Sequence, residues 1–336
     1  MNRPQPASLF SSIIVAGASR LAEAAPHCQV LVIGDIMLDI YIFGSADRIS
    51  PESPVPVVSV KQRHYIPGGA ANVAANARAL GANVMLAGII GDDDSGQRLL
   101  CELALRGIAT QATIRDTSRV TTTKTRVTAV RQHIVRFDEE QADPLPAAIR
   151  TVLLKSCRAA MTNANVVVLS DYAKGVFDPP FCRELIDIAN SLHIPVVIDP
   201  KSNDFARYRG ATVVTPNLKE AAEAAGHPIR TAEDLAIAAA NLQKVIEPAA
   251  LLITRSEAGM TLFWKELCYH FPALVNEVAD VTGAGDTVVG MLAVALAVGI
   301  SLENAADLAN VAAAVSVSHL GTWAVDVKAL LEKAVQ

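Results

Sequence analysis

Short apolar runs rich in valine, isoleucine and leucine recur along the chain at 30–33, 84–87, 166–169, 196–198, 212–214 and 251–253. Their apolar residues are nearly continuous rather than alternating, the pattern of strands buried on both faces of a parallel sheet. Between them lie stretches of helical period at 70–80, 96–106, 181–192, 232–245 and 285–298. Strand and helix alternating at this spacing predict an α/β fold, a doubly wound, mostly parallel sheet with helices on both faces. The 336 residues are expected to form one such domain.

Two stretches break the rhythm. Residues 40–65 are proline-rich, lack helical period and hold an extended run at 55–60, whereas 120–138 alternates Thr, Lys, Val and Arg like half-exposed strands. Long excursions from a compact domain tend to be functional, so these two are expected to form a small antiparallel β lid over a site; a pair of surface hairpins is the plainer alternative. Ahead of the first strand, Leu9, Ile13, Ala16 and Leu21 are spaced for a short helix packed on the body. Arg3 before a mildly apolar stretch at 9–18 also has the outline of a signal peptide, but Ser11, Ser12 and Gly17 interrupt it.

Composition narrows the partners. Hydrophobic residues make up 51% of the chain, enough for a sizeable core. A net charge of −5 with no basic run argues against nucleic acid or an anionic membrane surface. The longest apolar run, 288–300, is too short to span a bilayer. Cys28, Cys101, Cys157, Cys182 and Cys268 are scattered with no Cys-x-x-Cys pair, so neither a disulfide framework nor a zinc site is expected. These features predict a soluble, cytoplasmic protein.

Candidate chemistry gathers after the predicted strands, where ligands of doubly wound sheets bind. Gly283-Ala284-Gly285-Asp286 opens a predicted helix. Small residues there let successive N–H groups converge on an anion, with Asp286 in reach to take a proton from an attacking hydroxyl. Read alone, the segment equally fits a tight turn with Asp286 as a helix cap. Val288 stands where a dinucleotide fingerprint needs its third glycine, and the absence of any Gly-Lys pair excludes a Walker A loop. Gly68 and Gly69 open a small-residue helix on which Asn72 offers donor and acceptor to a sugar hydroxyl; close helix packing explains them as well. Asp35 and Asp39 follow the first strand and Asn217 and Glu220 follow the fifth, the latter pair suited to orient waters of a Mg²⁺ or simply to cap a helix. Lys174 and Lys201 sit after two further strands, where phosphate could be met.

Taken jointly, these segments resemble the ribokinase, or PfkB-type, family of carbohydrate kinases. The Gly68-Gly69-x-x-Asn72 opening and the Asp280-Val281-Thr282-Gly283-Ala284-Gly285-Asp286 signature match its hallmarks in order, and the resemblance runs from Val30 to Lys328. Finer matches at 34–39, 48–57, 169–175 and 215–220 look like the branch that phosphorylates D-glycero-β-D-manno-heptose 7-phosphate on the way to ADP-heptose and lipopolysaccharide. The chain ends soon after the signature, and so resembles the stand-alone form of that kinase.

The resemblance implies ATP with Mg²⁺ as cofactor and a sugar phosphate as acceptor. Asp286 is then the base, with Gly283, Ala284 and Gly285 the anion hole. Asp39, Gly68, Gly69, Asn72 and Lys174 would hold the sugar. Asn217, Leu218, Lys219 and Glu220 would belong to the ATP site, Glu220 meeting Mg²⁺ through water, with Ser256, Gly259 and Asn310 lining the nucleotide pocket. Asp280 and Thr282 match positions that bind a monovalent cation such as K⁺ in some relatives. The substrate's own phosphate calls for a cationic pocket drawn from Arg48, Lys124, Arg126, Arg136 and Lys174. The lid's exposed edges call for cover, which a homodimer would supply. A kinase for another sugar, a nucleoside or a pyridoxal-like alcohol is the alternative; a non-catalytic binding protein would not need Asp286.

Overall fold

The computed structural model describes residues 7–129, 132–274 and 278–335. Arg3 and positions 130 and 131 of the expected lid lie outside them. The strands are β1 (Gln29–Ile49), β2 (Pro56–Gly69), β3 (Asn83–Gly91), β4 (Ala109–Asp116), β5 (Thr122–Ala129) and β6 (Gln132–Glu139), then β7 (Val166–Ser170), β8 (Val196–Asp199), β9 (Val213–Val214), β10 (Ala250–Thr254), β11 (Met260–Trp264) and β12 (Leu267–Phe271). The α-helices are α1 (Ala7–Ala24), α2 (Ala70–Ala79), α3 (Asp94–Leu105), α4 (Ala147–Met161) and α5 (Pro179–Ser191), then α6 (Leu218–Ala225), α7 (Ala232–Ile246), α8 (Ala284–Ala297), α9 (Leu302–Val317) and α10 (Val327–Val335). No helix among the described residues is long and apolar enough to cross a membrane.

The central sheet runs β12-β11-β10-β9-β8-β7-β1-β3-β4. Neighbours from β4 to β10 are parallel, and β11 and β12 add an antiparallel hairpin at one edge. The apolar runs explain why the sheet is covered twice. Along β1, Val30 and Val32 enter a core shared with α2, α8 and α9, while Leu31 and Ile33 enter a second core with α4, α5 and α7. Each strand thus feeds two helix layers, as its continuous hydrophobicity requires. Cys28, Cys157 and Cys182 are buried, and burial pushes the Cys157 thiol up to about 12. The N-terminal helix forms, but its buried stripe is Ile14, Ala18 and Leu21, with Ala16 facing out. Gly17 lies against Leu308 of α9 and sets that rotation.

The larger difference from expectation lies in the first strand. Read as ending at 33, it continues unbroken to Ile49. Gly34 makes this crossing possible, because a Cβ there would meet the Ser170 carbonyl oxygen at 2.2 Å and Ala70 at 2.9 Å. Beyond it β1 leaves its central-sheet partners and builds a second sheet, ordered β2-β1-β5-β6. β2 is antiparallel to β1 and β6 to β5, whereas β5 is parallel to β1, so this sheet is mixed rather than antiparallel. The parallel pair arises because β5 follows β4 and runs outward beside β1.

Candidate active site

The carboxyl ends of β7, β8, β9 and β10 converge with the N-terminus of α8 on a cavity of about 210 Å³. Its lining includes Tyr172, Asp199, Lys201, Asn217, Glu220, Thr254, Gly283, Gly285 and Asp286. Such a crevice beyond parallel strand ends is where ligands of this architecture sit.

Gly283 is the N-cap of α8 with φ +79°, a left-handed turn that a side chain would strain. A Cβ there would also press on Asn72 Nδ2 at 2.8 Å. The turn aims the first amides of α8 at the cavity, and the carboxylate of Asp286 comes from the same first turn. Asp286 is 7% exposed. Asn72 donates its amide to Oδ2 at 2.6 Å, and the Tyr172 hydroxyl donates to Oδ1. Burial raises the Asp286 carboxyl to about 6, against the lowering effect of those two donors. A carboxylate that titrates near 6 is ionised at neutral pH and retains affinity for a proton.

Buried polar groups support this constellation. The Asn76 amide donates to the Asn72 backbone carbonyl at 3.0 Å, and the Thr287 hydroxyl lies 3.0 Å from Asn76 Oδ1. Asn72, expected on the sugar, therefore directs its amide to Asp286. Gly68 and Gly69 pair with Met37 and Ile36 beside it.

Asp39 lies on β1 within the second sheet, and the Arg126 guanidinium donates to its Oδ1 at 2.7 Å. Lys124 stands next to it across the strand pair, 5.6 Å from the centre of the Tyr172 ring. Burial lowers the Lys124 pKa, with Arg136 and Lys174 among the charges acting on it. Arg136 is held by Asp138 at 2.9 Å and Lys174 by Glu140 at 2.7 Å. Four of the five expected cations therefore lie around Asp39 and Lys124, and Lys124 acts electrostatically on Asp286. Arg48 does not join them: it is exposed, roughly 30 Å of strand beyond Asp39.

Asp35 corrects the expectation in another way. It lies inside β1 rather than on a loop, and its oxygens accept the backbone N–H groups of Tyr172 at 2.7 Å, Lys174 at 3.1 Å and Val176 at 3.3 Å. With those partners and 2% exposure it shapes the loop after β7 instead of meeting a sugar.

Across the cavity, Asn217 and Glu220 form a reciprocal capping box at the start of α6. Glu220 also pairs with Lys201 at 2.9 Å. The cap and the cavity wall are thus the same residues. Leu218 packs toward the second core, and Lys219 turns to solvent, pairing with Glu223, so neither faces the cavity. Ser256 and Gly259 shape the turn after β10, and Asn310 donates to the Pro272 carbonyl at 2.8 Å; none of the three lines the cavity. Asp280 accepts from Thr282 N–H at 2.9 Å, the Thr282 hydroxyl at 2.7 Å and Gly321 N–H at 3.0 Å. Burial works to raise its pKa, but these donors outweigh it and hold the carboxyl low.

Tyr172 and Asp199 were not singled out from sequence. Burial, reinforced by the charges of Asp286 and Glu220, raises Asp199 well above the usual carboxylate range. Their only signal was position: each falls at the end of a predicted strand, in Asp171-Tyr172-Ala173-Lys174-Gly175 and Asp199-Pro200-Lys201. Among the described residues no three metal-binding side chains converge to form a cage.

Known proteins share this plan. The chain is 46% identical over 299 residues to the bifunctional protein HldE of Geobacter metallireducens, covering 89% of this chain and 61% of that relative. It is 47% identical over 310 residues to HldE of Azorhizobium caulinodans, covering 90% and 64%. It thus spans about 60% of the length of the first relatives it matches. Among solved structures, Arabidopsis thaliana ribokinase complexed with ribose and ATP superposes with a TM-score of 0.71 at 22% identity, covering 91% of this chain and 98% of that one. Escherichia coli phosphofructokinase-2 in complex with potassium gives 0.75 at 18%, covering 92% and 98%. At such identities these two speak for the fold alone. Residues 28–328 match the pfkB family carbohydrate kinase profile, and a match over so much of the sequence makes the chain a member of the pfkB family of carbohydrate kinases.

Proposed function

We propose that this kinase transfers the γ-phosphoryl group of ATP to the C1 hydroxyl of D-glycero-β-D-manno-heptose 7-phosphate, giving the 1,7-bisphosphate used for ADP-heptose and the lipopolysaccharide core. The observation that carries the reading is the meeting of a buried base with a cationic cluster. Asp286 stands at the α8 N-terminus, and Lys124, which acts electrostatically on Asp286, leads to Arg136 and Lys174. An acceptor with a phosphate of its own would exchange Asp138 and Glu140 for that phosphate on Arg136 and Lys174. The sequence resemblance supports the heptose among sugar phosphates.

In this reading Asp286 takes the proton of the acceptor hydroxyl as its oxygen bonds to the γ-phosphorus. The bond to the bridging oxygen breaks, and ADP leaves with the electron pair. Charge on the transferring group falls on the amides of Gly283, Ala284 and Gly285, which are already oriented. Asp39, with Arg126 fixing one oxygen, offers the other to sugar hydroxyls.

ATP enters on the Asn217–Glu220 side. The cavity there is lined by Asp171, Asp199, Glu220 and Asp286 against Lys201, so a polyphosphate needs a divalent cation to be tolerated. Mg²⁺ would be carried mainly by phosphates and water, with Glu220 holding one of those waters. When bound, the ion neutralises charge on the β- and γ-phosphates. Asp280 and Thr282 would supply oxygens to a monovalent cation. The edges of β2 and β6, with Val135 and Phe137 about half exposed on β6, suit a homodimer through the second sheet, and the cytoplasm suits the substrates.

A coupled ADP-release assay over a panel of free and phosphorylated sugars and nucleosides tests the assignment. Heptose 7-phosphate should give the highest kcat/KM; equal or better turnover of ribose, fructose 6-phosphate or adenosine would replace it with another acceptor.

A further inference from the structure

The mechanism above uses Asp286, yet the carboxylate is not free to rotate. Each oxygen carries one protein donor, Asn72 on Oδ2 and the Tyr172 hydroxyl on Oδ1. A carboxylate oxygen has two lone-pair sites, so one site on each remains for an incoming hydroxyl. Tyr172 is itself fixed at both ends. Its backbone N–H is bound by the buried Asp35 at 2.7 Å, and the Lys124 ammonium lies over its ring.

We propose that Tyr172 is a positioning residue for phosphoryl transfer, its hydroxyl holding Asp286 in the rotamer and ionisation state that receive the proton of the acceptor. The inference deepens the kinase reading and rests on Asp286 being the base. Bonds to the charged form of a carboxylate favour that form, so this donor keeps the base ionised in a site whose burial favours protonation. The groups facing Asp286 from the surrounding elements are Tyr172 after β7, Asp39 on β1, Lys124 on β5 and Asp199 at the end of β8. Asp39 opposes its ionisation and Lys124 supports it. Tyr172 is the one among them whose hydroxyl bonds it directly.

The test is Tyr172→Phe, which keeps the ring, its contact with Lys124 and the backbone bond to Asp35. Hydrogen bonds to charged groups have strengths corresponding to about one to two pH units. The acidic limb of kcat/KM should move upward by that amount, so activity lost at pH 7 returns toward the wild-type value at pH 9, with KM for ATP unchanged. An unmoved limb, or an equal loss at every pH, would show a packing role and overturn the proposal. Replacing Tyr172 with 3-fluorotyrosine keeps the shape and makes a stronger donor, and should move the limb downward; this arm decides the matter if the Phe variant does not fold. A ¹³C titration of the Asp286 carboxyl, assigned with Asp286→Asn, reads the same shifts without turnover. Should the wild-type enzyme phosphorylate no sugar, the functional reading fails, while this titration still decides the role of Tyr172.

Discussion

The setting of Asp286, the proposed base, balances opposing effects. Burial favours the neutral acid, while Asn72 and Tyr172 favour the carboxylate, and the result is a group titrating at about 6. Asp286→Asn keeps the size and the first turn of α8 but removes the proton acceptor. General-base contributions imply a fall in kcat of about 10²–10⁴-fold. Nucleotide affinity, measured by isothermal titration, should stay within threefold of the wild type. The same ionisation sets a pH limit. A base must be deprotonated to act, so kcat/KM should fall about tenfold per pH unit below about pH 6 and be flat above it. A rate profile from pH 5 to 8.5 checks the sign, since activity that rises on acidification would mean that Asp286 is not the base.

At the scale of elements, sequence patterns went far where periodicity was strong and failed where one segment served two structures. The apolar runs locate the parallel strands because burial on both faces leaves no polar alternation. The same logic placed β1 at 30–33 and stopped there, since Gly34 and Asp35 look like a loop when no neighbour is visible. In the fold, Gly34 is the narrow crossing between β7 and α2, and Asp35 ties down the loop after β7. Neither role leaves a local trace. The convergence of Gly283, Gly285 and Asp286 on one cavity was legible because the three lie in one compact motif. Tyr172 reaches Asp286 from a segment 114 residues away, a contact that no spacing rule conveys. The Asn217–Glu220 pair illustrates overlap of the two scales, because capping and ligand binding ask for the same residues. Two variants separate them. Asn217→Ala removes the cap and should cost about 1 kcal/mol in chemical denaturation. Glu220→Gln can retain the box, and its ion pair with half-exposed Lys201 contributes little, so its stability should be near that of the wild type. Its Mg²⁺ requirement for half-maximal rate should nevertheless rise severalfold. Equal destabilisation with unchanged Mg²⁺ dependence would reduce Glu220 to a cap.

For the whole molecule, β1 joins the two sheets. Its first part belongs to the central sheet whose strand ends hold the cavity, and its second part carries Asp39 into the sheet that brings Arg126 to Asp39 and Lys124 over Tyr172. A continuous strand fixes the second sheet relative to the N-terminus of α8, and the proposed dimer would use the edge of β6. Light scattering during gel filtration should give twice the 35.4 kDa chain mass for the wild type. Phe137→Lys, on the β6 edge, should shift it toward one chain mass with the central sheet intact by circular dichroism. A wild-type monomer at micromolar concentration would remove the dimer from the account. The claim that binds base, cationic wall and cavity together is the site of phosphorylation, and ³¹P NMR of the product reads it directly. With heptose 7-phosphate and ATP, the account predicts one new phosphorus on the anomeric carbon, formed in equal amount with ADP. A phosphate on any other hydroxyl, or ADP formed with inorganic phosphate alone, would contradict it.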